Sequence, residues 1–227
     1  MKEVIFFDIG HTLVTGAEAS PRRLIGAALD LKERDIKRIG KLIMTENAET
    51  PDDLACLLSQ ELPHISPGKI FEAVRTVWEE QYTCVELLPG ADKVIVRLLQ
   101  MGYTLGIISN IWHPFFQGFS AKYPDIVSLF EYKVLSYRAG VKKPSPDIFL
   151  KAVKEANIDP SDCWMVGDTY ELDIAPARTS GFRTVWYVIR PDRERDAIAG
   201  ILRGELPGPD YAISDLMELV PFFENRL

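Results

Sequence analysis

The chain has 227 residues, 47% of them hydrophobic, and 33 Asp and Glu against 26 Lys and Arg leave a formal net charge of -7. That is apolar material for one large domain or a domain carrying an insertion, and the negative balance argues against a nucleic-acid or anionic-membrane partner, which clustered Lys and Arg would have to hold. Three widely spaced cysteines, Cys56, Cys84 and Cys163, form no CxxC pair, so neither a disulfide framework nor a zinc site is expected and a cytoplasmic setting is.

In chain order, VIFF (4 to 7) predicts a buried strand ended by Asp8; it is too short for a signal peptide, and no later stretch approaches a membrane span. From 16 to about 86 no strand is apparent. Helices start instead at Ser20-Pro21, with Leu24, Ile25, Ala28 and Leu29 on one face, at the capping-box-like Thr50-Pro51-Asp52-Asp53, and at Ser66-Pro67, whose Ile70, Phe71, Val74, Val77 and Trp78 read as core. Ala91, Val94, Ile95, Leu98 and Leu99 then repeat at helical spacing before Gly102, a C-terminal cap. YTLGII (103 to 108) predicts a second strand, Ser145-Pro146 opens a helix with Ile148, Phe149, Ala152, Val153 and Ala156 inward, and CWMV (163 to 166) and TVWYV (184 to 188) predict two more strands. The stretch after them interleaves Arg190, Arg193, Arg195 and Arg203 with Asp192, Glu194, Asp196 and Glu205 and reads as a solvated face. The alternation predicts a doubly wound parallel α/β sheet: residues 1–15 and 87–227 form the core domain, and 16–86 an inserted helical domain.

In such a sheet, ligands bind beyond the carboxyl ends of the strands. Asp8 follows the first strand, Ser109 and Asn110 the second, and Gly167 and Asp168 the third, with Asp173 five residues on and Lys143 before Pro144 in GVKKPSPDIF. Singly, each has a plain structural explanation: a turn, a helix cap, a loop lysine. Together, several carboxylates, a hydroxyl and an ammonium on one rim suit a divalent cation and a phosphate.

FFDIGHTL, GIISN, GVKKPSPDIF and VGDTYELD resemble, in order and spacing, the four motifs of the haloacid dehalogenase (HAD) superfamily. The resemblance implies a Rossmann-like core with the helical insertion as a cap domain, and hydrolysis of a small phosphorylated metabolite. It assigns Asp8 as nucleophile, Ser109, Asn110 and Lys143 to the phosphoryl group, and Asp8, the Gly10 carbonyl, Asp168 and Asp173 to Mg²⁺. It gives no substrate identity and no oligomeric state; Arg22, Arg23 and Trp112 are candidates to face a substrate, against the plain reading that an arginine at a helix start is simply exposed.

One position departs from that pattern. Most phosphatases of the family carry a second acid two residues after the nucleophile, and here Gly10 stands there, leaving a carbonyl but no proton donor. His11 and His113 are the nearest titratable substitutes, although His11, next round the turn, should point away. Relatives without the second acid include dehalogenases, disfavoured by the metal-type acids of VGDTYELD, and phosphonatases, which need a cap lysine such as Lys32, Lys37, Lys41 or Lys69. A weakly active pseudoenzyme serving as a binding or regulatory module is the remaining alternative.

Overall fold

The computed structural model describes residues 3–16 and 19–226. Strand β1 (Val4–Phe7) leads into β2 (Val14–Thr15), which pairs antiparallel with β3 (Glu86–Leu87) in a separate two-stranded ribbon. β4 (Thr104–Ser109), β5 (Tyr132–Leu135), β6 (Cys163–Gly167), β7 (Arg183–Tyr187) and β8 (Tyr211–Ile213) join β1 in a six-stranded sheet, ordered β5-β4-β1-β6-β7-β8, with every pairing parallel. Counted within that sheet alone, the order is 3-2-1-4-5-6, the doubly wound arrangement, and its switch point falls between β1 and β6.

The central strands form where both faces can be covered: every residue of β1, β4 and β6 is buried, as a continuous apolar run requires. Pairing Phe7 with both Ile107 and Val166 brings the ends of these three strands side by side. Four strands were expected from the sequence; the ribbon strands β2 and β3 are additional, and so, within the sheet, are β5 and β8. They are the sheet edges, and their apolar signal is diluted: Tyr132 and Lys133 are only half-buried, and in β8 only Ile213 is buried.

Between β2 and β3 lie α1 (Pro21–Ala28), α2 (Glu33–Thr45), α3 (Pro51–Glu61) and α4 (Pro67–Thr83). They enclose a core of their own from Ile25, Ile39, Ile43, Leu54, Leu58, Ile70 and Val74. The Thr50 capping box forms as its sequence requires, Thr50 Oγ1 accepting from the Asp53 amide at 3.1 Å and Asp53 Oδ2 from the Thr50 amide at 3.0 Å. Ser20 and Ser66 make no side-chain cap bond, so proline in the first turn carries the start of α1 and α4. α2 begins after Lys32, with no Ser, Thr, Asp or Asn to announce it.

After α5 (Ala91–Gln100), Gly102 takes the left-handed conformation, at φ 91°, that ends the helical turn. α6 (His113–Lys122) follows β4 directly and packs on α4, and a helix at Pro146–Ala156 starts where Ser145 Oγ accepts from the Asp147 amide. No helix among the described residues is long and apolar enough to cross a membrane.

Candidate active site

At the switch point five of the six polar residues expected on this rim converge and are withdrawn from water, and the sixth, Asn110, is half-buried. Asp8 is the most exposed of Asp8, Ser109, Lys143, Asp168 and Asp173, at 7%. β1 sets Asp8 in place by continuing the ladder one residue, its amide donating to Val166 O at 2.9 Å. Ser109, the last residue of β4, donates its hydroxyl to Asp8 Oδ1 at 3.0 Å. Lys143 reaches in from the loop before Pro146–Ala156 and donates to Asp8 Oδ1 at 2.6 Å, Asp173 Oδ1 at 2.5 Å and the Ile108 carbonyl at 3.0 Å. All three ammonium donors are thereby used.

Asn110 fixes the loop that delivers Lys143. Its side chain donates to the Lys143 carbonyl at 2.9 Å and accepts from the Lys143 amide at 2.7 Å, a two-way clamp between the second and third motif loops. Ser136, which no sequence motif singled out, braces the same loop by accepting from the Ile111 amide at 3.1 Å and donating to the Ile111 carbonyl at 3.0 Å.

Asp173 is carried by a single π-type turn, Tyr170–Ile174, immediately past Asp168. Thr169 donates its amide to Asp173 Oδ2 at 2.9 Å, so with Lys143 both carboxylate oxygens are engaged. The turn folds so tightly over β6 that a Cβ on Gly167 would stand 2.4 Å from Asp173 Cβ and Cγ. Glycine is required there for close approach.

Arg190 was grouped by sequence with a solvated face, and that grouping fails for it. Arg195–Asp192 and Arg203–Glu205 are exposed surface pairs, but Arg190 donates Nε to Asp168 Oδ2 at 2.8 Å and Nη2 to the same oxygen, against a carboxylate only 3% exposed. Its position just beyond the carboxyl end of β7, beside β6, was the available signal. Trp186 Nε1 completes the fixing of Asp168 by donating to its backbone carbonyl at 2.9 Å.

Crowding of acids sets the electrostatics. Burial, and then the nearby Asp8, push the Asp168 carboxyl up to about 6, with Arg190 and Lys143 pulling the other way. Burial likewise pushes Asp173 up, against the pull of Lys143. Burial works against the Lys143 ammonium, yet the flanking Asp173 and Asp8 outweigh it and hold its pKa above the ordinary lysine value. Ligand oxygens of Asp8, Asp168 and Asp173 lie within 4.8 Å of one another. Buried, mutually repelling carboxylate oxygens at that spacing suit a hard divalent cation, which would relieve their repulsion.

The backbone strain of the turn after Asp8 falls on His11, at φ 59°, rather than on the glycine, while Gly10 forms a bridge with Val14. A Cβ at Gly10 would meet nothing within 4 Å, so no neighbour fills the place of a side chain. His11 is half-buried; burial and then Arg190 lower its pKa more than Asp8 raises it, which disfavours the protonated imidazole that a general acid requires. His113 lies apart from the carboxylates, its ring stacked on Trp78 at 5.9 Å and 4.9 Å from Tyr137, its pKa lowered by burial and then Arg138. Among the described residues, neither histidine hydrogen-bonds Asp8, Asp168 or Asp173 through its side chain.

The pattern of a haloacid dehalogenase-like hydrolase matches residues 2–181. A glyceraldehyde 3-phosphate phosphatase of Pyrococcus abyssi (strain GE5 / Orsay) is 34% identical over 197 residues, 82% of each chain. The enzyme of the same name from Pyrococcus furiosus is 30% identical over 233 residues, covering 99% of this chain and 94% of the relative. Among solved structures, a 2-haloacid dehalogenase from Pseudomonas syringae pv. Tomato DC3000 superposes over the whole of both chains with a TM-score of 0.66 at 20% identity, a likeness of fold alone.

Proposed function

Because the chain belongs to the haloacid dehalogenase-like hydrolases, we propose that it is a Mg²⁺-dependent phosphatase acting on a small phosphorylated metabolite through an aspartyl-phosphate on Asp8. The observation that carries this reading is the buried contact of the Lys143 ammonium with Asp8 and Asp173 at the switch point of the sheet. The names of the Pyrococcus relatives favour a phosphate ester over a carbon–halogen bond.

Asp8 is the nucleophile. Ser109 and Lys143 both hold its Oδ1, which, among the described residues, leaves Oδ2 without a protein donor and available for attack. Attack on phosphorus forms the Asp8–phosphorus bond and breaks the bond to the leaving oxygen, and water then returns the carboxylate and inorganic phosphate. Lys143 and Ser109 supply positive charge and a hydrogen-bond donor to the phosphoryl oxygens as charge builds on them, and the Asn110 clamp keeps Lys143 in register. Asp8, the Gly10 carbonyl and Asp168 would hold Mg²⁺, which would neutralise phosphoryl charge. Asp173, with both oxygens already engaged, supports from behind. We assign 16–86 as the cap domain over this centre.

The dehalogenase alternative leaves Asp168 and Asp173 without a role. Of the four lysines that a phosphonatase reading would use, Lys32, Lys37, Lys41 and Lys69, none hydrogen-bonds Asp8 among the described residues.

A panel of phosphorylated metabolites, assayed with and without Mg²⁺ on wild type and Asp8→Asn, tests the reading. Phosphate release that needs both Mg²⁺ and Asp8 is expected. Release that persists in Asp8→Asn, or none from any ester, would sink it.

A further inference from the structure

By chain order α6 belongs to the α/β core, directly after Ser109 and Asn110, and it turns Phe116 and Phe119 into the core of the sheet. Along its other side it is fastened to the helical insertion at three points. At its start the Trp112 side chain, only 2% exposed, leaves the sheet and enters the hydrophobic core of the insertion, edge to face with Trp78 of α4 at 5.6 Å between ring centres. In its middle, Gly118 lies so close to α4 that a Cβ there would overlap the Tyr82 carbonyl oxygen. At its end, Lys122 Nζ donates to the Val85 carbonyl at 3.0 Å and pairs with Glu86, and the Tyr123 hydroxyl donates to Glu86 Oε2 at 2.9 Å. The helix is thereby tied to the segment on which the insertion returns to the sheet.

The start of α6 is also the end of the phosphoryl-binding loop. One residue, Ile111, separates Trp112 from Asn110, which clamps the Lys143 backbone. Ile111 is itself held, its amide and its carbonyl both bonded to the Ser136 hydroxyl and its side chain buried in the core of the sheet. The Trp112 carbonyl then accepts the Phe116 amide at 3.3 Å in the first turn of the helix. Packed interiors transmit displacement rather than absorb it, so the seat of α6 in the insertion bears on where the Asn110 side chain stands. Trp112, a candidate on sequence to face a substrate, is instead packed among the residues of the insertion. Its Nε1 hydrogen-bonds nothing among the described residues, so the ring acts through its bulk and place.

We propose that Trp112 is a positioning residue: by seating α6 in the helical insertion it holds Asn110, and through Asn110 the Lys143 loop, in the register that phosphoryl transfer needs. Its effect on turnover rests on the phosphatase reading above; the coupling of Trp112 to Asn110 does not.

A double-mutant cycle separates positioning from a merely stabilising role. Trp112→Leu should lower kcat for p-nitrophenyl phosphate by about tenfold or more, within the ~10²-fold that a small misplacement costs, and change KM less. In an Asn110→Ala background, where the clamp is already gone, the same substitution should cost less than about twofold, while its cost in urea stability stays the same in both backgrounds. Trp112→Phe, which keeps a ring against Trp78, should recover most of kcat. A second readout needs no turnover: by NMR the Asn110 side-chain amide, bonded to the Lys143 carbonyl, should exchange with solvent several-fold faster in Trp112→Leu than in wild type. Should Trp112→Leu fail to fold, Gly118→Ala, which wedges a methyl between α6 and α4, replaces it in both readouts with the same expected results. Unchanged kcat, an equal loss of kcat in both backgrounds, or unchanged Asn110 amide exchange overturns the proposal. If wild type shows no Mg²⁺-dependent phosphate release at all, the phosphatase reading fails separately, and amide exchange still decides the coupling.

Discussion

Lys143 Nζ lies 2.5 Å from Asp173 Oδ1, and the two side chains are only 1% and 2% exposed. A pair so deeply buried persists because each charge answers the other, and removing one strands its partner. Lys143→Met, which keeps the length of the side chain, should therefore cost on the order of 3–5 kcal/mol of stability in urea titration as well as abolishing turnover. Adding Asp173→Asn should recover part of the lost stability but none of the activity. A Lys143→Met protein as stable as wild type would remove the ion-pair account.

Gly167 touches no substrate in this scheme, yet Gly167→Ala should reduce kcat sharply. The new methyl would overlap Asp173 Cβ and Cγ, and Asp173 would have to leave Lys143. Overpacking of this kind costs roughly 1–3 kcal/mol. Denaturant midpoint and kcat together check it: normal kcat would mean that the π-type turn relaxes without moving the carboxylate.

Without a carboxylate at residue 10, the leaving oxygen departs with little proton transfer, so log rate should fall steeply with leaving-group pKa and aryl phosphates should outrun alkyl phosphates. Gly10→Asp should raise kcat for alkyl phosphates by up to the ~10²- to 10⁴-fold that general acid catalysis provides, and change aryl substrates little. A Cβ at residue 10 would meet nothing within 4 Å, so the first atom of the side chain enters without displacing a neighbour. A shallow wild-type slope that steepens in His11→Gln or His113→Gln would assign the acid to that histidine instead.

Much of this centre was legible in sequence because strand ends are marked by a change from apolar to polar residues. Asp8, Ser109 and Asp168 each stand where a fully buried run stops, and Lys143 sits in a motif of fixed spacing. Arg190 was not read, because its partner Asp168 lies 22 residues away on the neighbouring strand and only its place just past the end of β7 separates it from Arg193 and Arg195. The edge strands β5 and β8 were missed for a related reason: a strand with one covered side lacks the continuous apolar run that betrays a central one. α2 went unread because its N-terminus is capped by context rather than by a Ser, Thr, Asp or Asn side chain.

The raised pKa of Asp168 has a definite sign. Between the ordinary value of 3.8 and about 6 the folded protein binds more protons at this site than the unfolded chain, so its contribution favours folding below that window and is lost as pH rises through it. Asp173, pushed up by burial as well, acts in the same direction. Mg²⁺ needs ionised carboxylates, so its stabilising effect should run the opposite way, with a larger rise in Tm at about pH 7.5 than at about pH 5. Thermal unfolding at both pH values, with and without Mg²⁺, checks this. Asp168→Asn should flatten the Mg²⁺ effect, and a pH-independent Mg²⁺ shift in wild type would place the ion elsewhere.

The emptiness beside Gly10 has a genetic side as well. The glycine codons ending in a pyrimidine lie a single base change from the aspartate codons, and a Cβ at residue 10 would meet no neighbour within 4 Å. Unlike Gly167, where any replacement must displace Asp173, residue 10 can change without a compensating substitution. From such a codon the chain stands one mutational step from the two-acid form of its own family, a step on which selection by leaving group can act directly.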